Sequence, residues 1–212
     1  MKPCNTTLSL VLLNALCVAG YCCSGLERGR NIHVNQSELT RSVSPHGQWE
    51  FFMKPSPDED RGPTMWIARR HERKATFVGN LFRDGDLQWC PKDACLILIE
   101  EPSIEYMQIK LYRLDPTGPQ AFPALNRAIS EDVKGSIAKH SEILFSGLRV
   151  LGWVDEQHVL IAAQARYWKS GNNAQGGIFT CGYVVEVDTG KVSRRISAGE
   201  LKAKYGFSKR IV

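Results

Sequence analysis

The sequence predicts an all-β, mainly antiparallel protein with one helical insertion, and three observations support this fold class. Segments rich in β-branched and aromatic residues recur along the chain and end in turns that contain Pro, Gly or Asp. Two of these strand-and-turn units repeat at a spacing of 46 residues. Residues 123–145, which follow the second unit, have the four-residue apolar spacing of a helix instead.

The repeat is anchored at two positions in each of the first two units. Pro45 and Pro91 each follow a small residue and precede a polar turn and an apolar strand. Trp66 and Tyr112 lie in a later strand and have the same separation as the two prolines. A third, looser copy starts at residue 150 and closes near an Asp-Thr-Gly turn at 188–190, which parallels the turn at 115–118. We therefore predict that each unit is a meander of three or four strands.

The turns of these units resemble those of TolB-like and WD-type β-propeller blades, where a Trp-Ser-Pro-Asp-Gly type turn precedes an apolar strand. The matching segments are 44–47 and 89–93, although the first has His46 in place of the turn aspartate and the third unit has no proline. The resemblance covers residues 43–196 and implies about three degenerate blades. Because propellers close with ~4–8 blades, three arrangements stay open: an open stack, a ring completed by two chains, and a sandwich.

The insertion at 123–145 is predicted to be an amphipathic helix. Leu125, Ile129, Val133 and Ile137 lie four residues apart, and Ile143 continues the apolar stripe. A glycine in the middle of the segment leaves two shorter helices as the alternative.

A short helix is also predicted near the C-terminus. Ser197 is placed to cap its first turn, with Glu200 at the capping-box position. Gly206 is placed to end it.

The first 20 residues predict a secretory signal peptide, because Lys2 is followed by an apolar run and then by small residues. The run is about a dozen residues long, whereas a membrane-spanning helix needs ~20; a buried first helix is the alternative. Cys22 and Cys23 come directly afterwards and are candidate lipidation sites, although Tyr21 is unusual before a lipidated cysteine. We expect residues 21–42 to be a tether or an added strand, and residues 43–212 to be the propeller-like domain.

Three cysteines lie in the predicted domain. Cys90 and Cys95 flank a Pro-Lys-Asp-Ala turn, so they could form a disulfide across it in an oxidising compartment. A zinc site is the competing interpretation, but a second Cys/His pair at ligand spacing is missing from the sequence. Cys181 is then a buried apolar residue or a free thiol.

A long polar loop at 167–177 is the candidate binding surface, since rigid sheets often present binding residues on such loops. Two aromatic residues and a lysine stand at its base and two asparagines at its tip, and we take these as candidate binding residues: Tyr167, Trp168, Lys169, Asn172 and Asn173. A flexible hairpin tip is the alternative.

The sequence has none of the common motifs of serine hydrolases, zinc peptidases or P-loop enzymes, so no catalytic residue, cofactor or metal site is predicted. The acidic segments at 58–60 and 84–86 do not have the ligand spacing of a calcium loop. The net charge of +5 is too small to predict a nucleic-acid surface. A basic cluster at 69–74 could meet an anionic partner, or it could only protect a sheet edge from pairing.

These observations lead to the expectation of an exported, periplasmic or extracellular, non-catalytic β-propeller-like protein of the cell envelope. Its partner would be a protein or another envelope component and not a nucleic acid. Membrane anchoring by lipid and a homodimer are further alternatives. The competing hypothesis is a small secreted hydrolase or ligand-binding enzyme on a β scaffold.

Overall fold

Short strands alternate with turns along most of the chain. The computed structural model describes residues 26, 31–58, 60–103, 106–137, 141–169 and 176–208. The strands in these ranges are β1 (Asn31–Val34), β2 (Arg41–Val43), β3 (Trp49–Lys54), β4 (Thr64–Arg69), β5 (Ala75–Asn80), β6 (Gly85–Trp89), β7 (Cys95–Ser103), β8 (Tyr106–Asp115), β9 (Gly118–Ala121), β10 (Ser141–Trp153), β11 (His158–Lys169), β12 (Gly176–Glu186) and β13 (Val192–Ser197). The helices are α1 (Pro123–Ser136) and α2 (Ala198–Tyr205). The predicted signal peptide at 1–20 and both candidate lipidation sites, Cys22 and Cys23, lie outside the described residues.

Two sheets contain these strands. Strands β2 to β5 form a four-stranded antiparallel meander, here called the small sheet. The other nine strands form the large sheet, in the order β1-β6-β7-β8-β10-β11-β12-β13 with β9 paired to β8. Its pairings are antiparallel except the one between β8 and β10. The predicted all-β, mainly antiparallel class is confirmed. The second and third units lie side by side in the large sheet, and the resemblance to propeller blades stays a prediction.

The apolar core is divided into three clusters. The first lies between the small sheet and one face of β6 to β8, where Phe51 and Ile67 meet Leu98. The second lies on the opposite face of the large sheet, between strands β7 to β12 and helix α1. The third is small and packs Leu201 of α2 against the outer side of β11 to β13.

Two buried polar contacts join the sheets at the repeated turns. Trp89 Nε1 donates to Ser42 Oγ at 2.8 Å. The buried carboxylate of Asp93 accepts from Ser44 Oγ at 2.6 Å and from the His46 N–H at 3.0 Å. The turn of the second unit is thus hydrogen-bonded to the corresponding turn of the first unit.

The two turns predicted around Asp-Thr-Gly sequences are present. Asp115 Oδ1 accepts the N–H of Thr117 at 2.8 Å, as expected for an aspartate that bonds its own downstream backbone. Gly118 and Gly190 have φ values of +126° and +65°, in the region of positive φ that favours glycine.

The helical insertion is confirmed, but the helix covers 123–136 and not the whole of 123–145. Leu125, Ile129 and Val133 are buried as the four-residue spacing predicts. Ile137 has an extended backbone, and Ile143 lies on β10 beside Tyr167 of β11. The stripe continues past the helix because a strand can also direct Ile143 towards the same core.

Helix α2 has the predicted caps. The N–H of Glu200 donates to Ser197 Oγ at 3.2 Å. Gly206 ends the helix in a left-handed conformation with φ +63°. Neither helix in the described ranges has the length and hydropathy needed to cross a membrane.

Candidate functional site

A cleft lies where strands β8 and β10 separate. Among the described residues the two strands share one register pair, Tyr106 with Ser146. Two residues further along β10, the N–H of Leu148 donates to Met107 Sδ at 3.3 Å. A thioether sulfur is a weak acceptor compared with a backbone carbonyl. The large sheet is therefore loosely joined along this seam.

Helix α1 covers the seam. Leu125, Ile129 and Val133 anchor its apolar face in the core below. Asn126 Oδ1 accepts the N–H of Ile109 on β8 at 3.2 Å and fixes the helix to one side of the gap. Pro123 in the first turn favours helix initiation because its missing N–H would have no partner there.

The cleft between α1 and strands β8, β10 and β11 has a volume of about 320 Å³. Small-molecule sites in proteins have volumes of roughly 300–1,000 Å³, so a compact ligand fits. The apolar part of the lining comes from α1 and all three strands: Met107, Ile129, Val133, Ile143, Leu148 and Ala163.

Among the described residues, the polar part of the lining carries no carboxylate and includes Gln164 of β11. Asn126, Ser130 and Lys134 lie four residues apart on α1, and Ser146 faces them from β10. Lys134 is exposed and makes no ion pair with any residue in the described ranges. An apolar body with an anionic or hydrogen-bond-accepting group is the ligand chemistry that this lining favours.

The base of the predicted binding loop stands at the rim of this cleft. Tyr167 is the register partner of Ile143, which lines the cleft, and it packs against the same core cluster. A Cβ atom on Gly177 would lie 2.6 Å from Tyr167 Oη, and one on Gly176 would lie 2.7 Å from Trp168 Cε3. The two glycines thus leave room for the aromatic rings to lie across the hairpin.

The other predicted loop residues have different positions. Trp168 is 48% exposed and alternates with Tyr167, so it faces away from the cleft. Lys169 is exposed at the end of β11, opposite Ser141. Asn172 and Asn173 lie outside the described residues. Of the five candidates, the structure brings Tyr167 beside Ile143, a residue that lines the cleft.

A polar cluster holds α1 against β12 and β13. Tyr183 Oη donates to Asp132 Oδ2 at 2.6 Å, and Arg195 Nε lies 2.9 Å from the same oxygen. The Cys181 thiol donates to Tyr183 Oη at 3.0 Å. Burial raises the pKa of Cys181, and burial followed by the bond to Asp132 raises the pKa of Tyr183. Both groups keep their protons at neutral pH, so this cluster positions the helix and supplies no activated nucleophile.

Cys90 and Cys95 face each other at the base of the β6–β7 hairpin. The N–H of Cys90 donates to the Cys95 carbonyl at 2.9 Å. Cα atoms in such a pair are ~5.5 Å apart, inside the range of ~4.4–6.8 Å that disulfides span. Both residues are buried free thiols in the structure, and the disulfide stays a prediction.

The environment of the two thiols is asymmetric. A hydrogen bond from the Cys95 thiol lowers the pKa of Cys90 to about 7 against the opposing effect of burial, and the N–H groups of Lys92 and Ala94 act in the same direction. Burial raises the pKa of Cys95.

No group of three or more His, Cys, Asp or Glu side chains converges in the described ranges. His46 lies 3.6 Å from Asp93, and His158 lies 2.8 Å from Asp155. Each histidine is thus near one carboxylate at a turn.

The sequence interpretation missed the cleft, because its lining comes from segments near 107, 126–134, 143–148 and 163 that only the fold brings together. One signal was available in the helix. Asn126, Ser130 and Lys134 form a polar stripe next to the apolar stripe at Leu125 and Ile129. A polar stripe that borders a buried face is a natural position for ligand contacts.

Searches of protein-family models, curated proteins and solved structures found no match to this chain.

Proposed function

We propose that this chain is a non-catalytic binding protein, exported to the cell envelope, that holds a small amphipathic ligand in the cleft beneath α1. The observation that carries the proposal is the composition of the cleft. Apolar side chains surround its floor, and Lys134, which has no ion-pair partner among the described residues, lies on the same lining with four neutral polar side chains. The ligand would place its apolar body against Ile129 and Leu148 and an anionic group near Lys134.

The neighbouring elements support this role because they make the cleft adjustable. Within the described part of the chain the seam between β8 and β10 has a single register pair, so its opening there disrupts few backbone hydrogen bonds. Helix α1 is held from outside by Arg195, which pairs with Asp132 of the helix, and this keeps the roof in place. Tyr167 at the rim belongs to the hairpin whose tip we expected to contact partners, so ligand occupancy and partner binding would share one end of the sheet.

Three probes with the same apolar body test the ligand class. Laurate, dodecanol and dodecyltrimethylammonium differ in head group, and isothermal calorimetry is run with the two ionic probes below their micelle-forming concentrations and with dodecanol below its solubility limit. We expect laurate to bind most tightly and the cation most weakly. Equal affinity for all three probes would contradict the role of Lys134, and no binding of any probe would overturn the proposal.

Two variants locate the binding site. Lys134→Gln is expected to weaken laurate roughly fivefold, because a partly exposed ion pair contributes up to ~1 kcal/mol, and to leave dodecanol unchanged. Ser146→Leu is expected to fill the cleft and abolish binding of both probes. Lys202→Gln on α2 is the matched control, since Lys202 is also exposed on a helix but lies away from the cleft.

Export is tested separately by the intact mass of the protein recovered from an exporting host. Cleavage near residue 20, with or without an added lipid on Cys22 or Cys23, is the expected result. A full-length mass would contradict export and would leave the cleft proposal to be judged by the titrations.

A further inference from the structure

The outer face of the small sheet carries a row of aromatic side chains. Phe52, Trp66 and Phe77 are register neighbours on β3, β4 and β5. The Trp66 and Phe77 rings meet edge to face, with centroids 5.4 Å apart. Phe77 is 50% exposed. Inner-face residues of the same strands, such as Phe51, are fully buried in the core.

The 46-residue repeat identifies the equivalent face in the second unit. Phe52 is equivalent to Leu98 and Trp66 to Tyr112. Leu98 and Tyr112 are 0% and 5% exposed, because the small sheet packs on them. The first unit therefore leaves open the face that a preceding sheet covers in the second unit.

At the other end, helix α2 covers part of the outer face of the third unit, where Trp168 and Ile178 stay 48% and 37% exposed. Leu201 of α2 is buried against Leu160, Val184 and Ile196 on the outer side of the large sheet. Stacks of repeats need a cap with a polar outer face at each end. No described element contributes a residue to a comparable cluster over the outer face of the small sheet.

We propose that a second copy of this chain covers the outer face of the small sheet, forming a face-to-face dimer with a two-fold axis that runs across the strands. The axis lies between the small sheets of the two copies, at the level of Trp66. Each strand of one copy therefore lies antiparallel to the same strand of the other copy. A two-fold interface uses the same patch on both subunits. This proposal does not depend on the ligand cleft, which lies on the other side of the large sheet.

Charge complementarity favours this occupant and this axis. Glu50 and Lys54 flank Phe52 on the outer face of β3, and Arg41 of β2 pairs with Glu50 within the same copy at 2.6 Å. The antiparallel arrangement therefore brings Lys54 of each copy near Glu50 of the partner subunit. Lys54 Nζ lies 5.0 Å from the Trp66 ring centroid and makes no ion pair with a residue in the described part of the chain.

The turns at the two ends of β4 have opposite charge. The basic turn at 69–74 contains three arginines, one lysine and one glutamate, whereas the loop before β4 contains Asp58 and Asp60. Arg73 and Lys74 make no ion pair with any described residue. In the proposed dimer the basic turn of each copy lies over the acidic loop of the other. A two-fold axis parallel to the strands would instead place the basic turn of one copy over the basic turn of the other.

The size of the face predicts a weak dimer. Three strands of six residues and one of three, ~4.8 Å apart and rising ~3.3 Å per residue, cover roughly 330 Å² for each copy. Stable interfaces bury ~800 Å² per partner. We therefore expect a dissociation constant in the micromolar range or above.

Sedimentation velocity of the full chain over about a hundredfold range of concentration tests the dimer. Phe77→Glu is expected to weaken self-association at least tenfold, because it buries a charge in the apolar row. Val154→Glu is the matched control, since Val154 is 44% exposed at the β10–β11 turn. A wild-type chain that stays monomeric at the highest concentration would overturn the proposal.

Two charge-reversed variants test the axis. Arg73→Glu with Lys74→Glu makes both ends of the face acidic, and Asp58→Lys with Asp60→Lys makes both ends basic. Each variant alone is expected to be monomeric, and an equimolar mixture is expected to form a heterodimer. Lys191→Glu with Lys202→Glu has the same charge change as the first variant on another surface and should dimerise normally. A mixture that stays monomeric, or a control that also dissociates, would contradict the proposed interface.

Discussion

Replacement of Asp93 by asparagine is expected to destabilise the protein by about 2–4 kcal/mol, because the Asp93 carboxylate joins the two sheets. It accepts from Ser44 Oγ at 2.6 Å, from the His46 N–H at 3.0 Å and from the Gln48 N–H at 3.3 Å. The side chain is 2% exposed, so a donor that loses its acceptor there has no water to replace it.

The magnitude follows from these contacts. Asparagine keeps one acceptor oxygen and replaces the other by an NH₂ group, so at least one donor is left unpaired and faces another donor. A buried unsatisfied group costs ~1–3 kcal/mol, and a bond to a charged group is worth ~1.5–3 kcal/mol. Asp93 has φ +58°, a conformation that asparagine adopts as readily as aspartate. Backbone strain therefore does not enter the comparison.

Urea unfolding at neutral pH measures the effect as a lower midpoint with an unchanged slope. Ser44→Ala is the partner variant, and the double variant should be less destabilised than the sum of the two single changes, because both remove one shared bond. If Asp93→Asn unfolds within ~0.5 kcal/mol of the wild type, as a surface change would, the carboxylate does not hold the sheets as argued.

Further predictions concern the polar contacts of Lys110, Trp89 and Trp153, and the free energy of unfolding of each variant is measured in urea. Lys110→Met should cost about 2–3 kcal/mol, because Lys110 Nζ lies 2.8 Å from the buried Glu100 carboxylate, which would lose its counter-charge; a neutral result would mean that water reaches Glu100. Trp89 and Trp153 are both 0% exposed, but Trp89 Nε1 donates to Ser42 whereas Trp153 Nε1 has no partner in the described ranges. Trp89→Phe should therefore be less stable than Trp153→Phe by about 2 kcal/mol, and equal losses would contradict the difference in bonding.

The sequence was sufficient to predict those elements whose signals are local. Helix α2 begins and ends where Ser197 and Gly206 predict, because caps are bonds between residues a few positions apart. The 46-residue spacing likewise placed Trp66 and Tyr112 on equivalent strands. Turn chemistry at Asp115 was also predictable, since the aspartate bonds its own neighbour.

Features that depend on how the units pack were not predictable. Helix α1 ends at Ser136, but Ile143 extends the apolar stripe because helix and strand face one core. The pairing of β8 with β10 joins two units into one sheet and opens the cleft, and neither strand has a sequence signal for its partner. The repeat predicted equivalent positions, but the exposure of Trp66 and the burial of Tyr112 follow from the order of stacking.

The Cys90 thiol provides a prediction that also decides the state of the cysteine pair. Its pKa is lowered to about 7 by the hydrogen bond from Cys95, so the native state releases this proton at a lower pH than the unfolded chain, whose thiols titrate near ~8.5. The unfolded state binds more protons between these values. The free energy of unfolding of the reduced protein should therefore rise with pH from about 7 to ~8.5, and the contribution is lost as the pH falls through 7.

The thiolate absorbance in the ultraviolet measures this titration without a reagent that must reach a buried group. In reduced protein we expect a step near pH 7 that is absent in Cys90→Ser and kept in Cys181→Ser, because burial raises the pKa of Cys181. If the predicted disulfide forms, the step is missing from the protein as purified and appears only after reduction, with a mass gain of about two hydrogens. A reduced protein without the step would contradict the polar environment assigned to Cys90, whereas a step before reduction would contradict the disulfide.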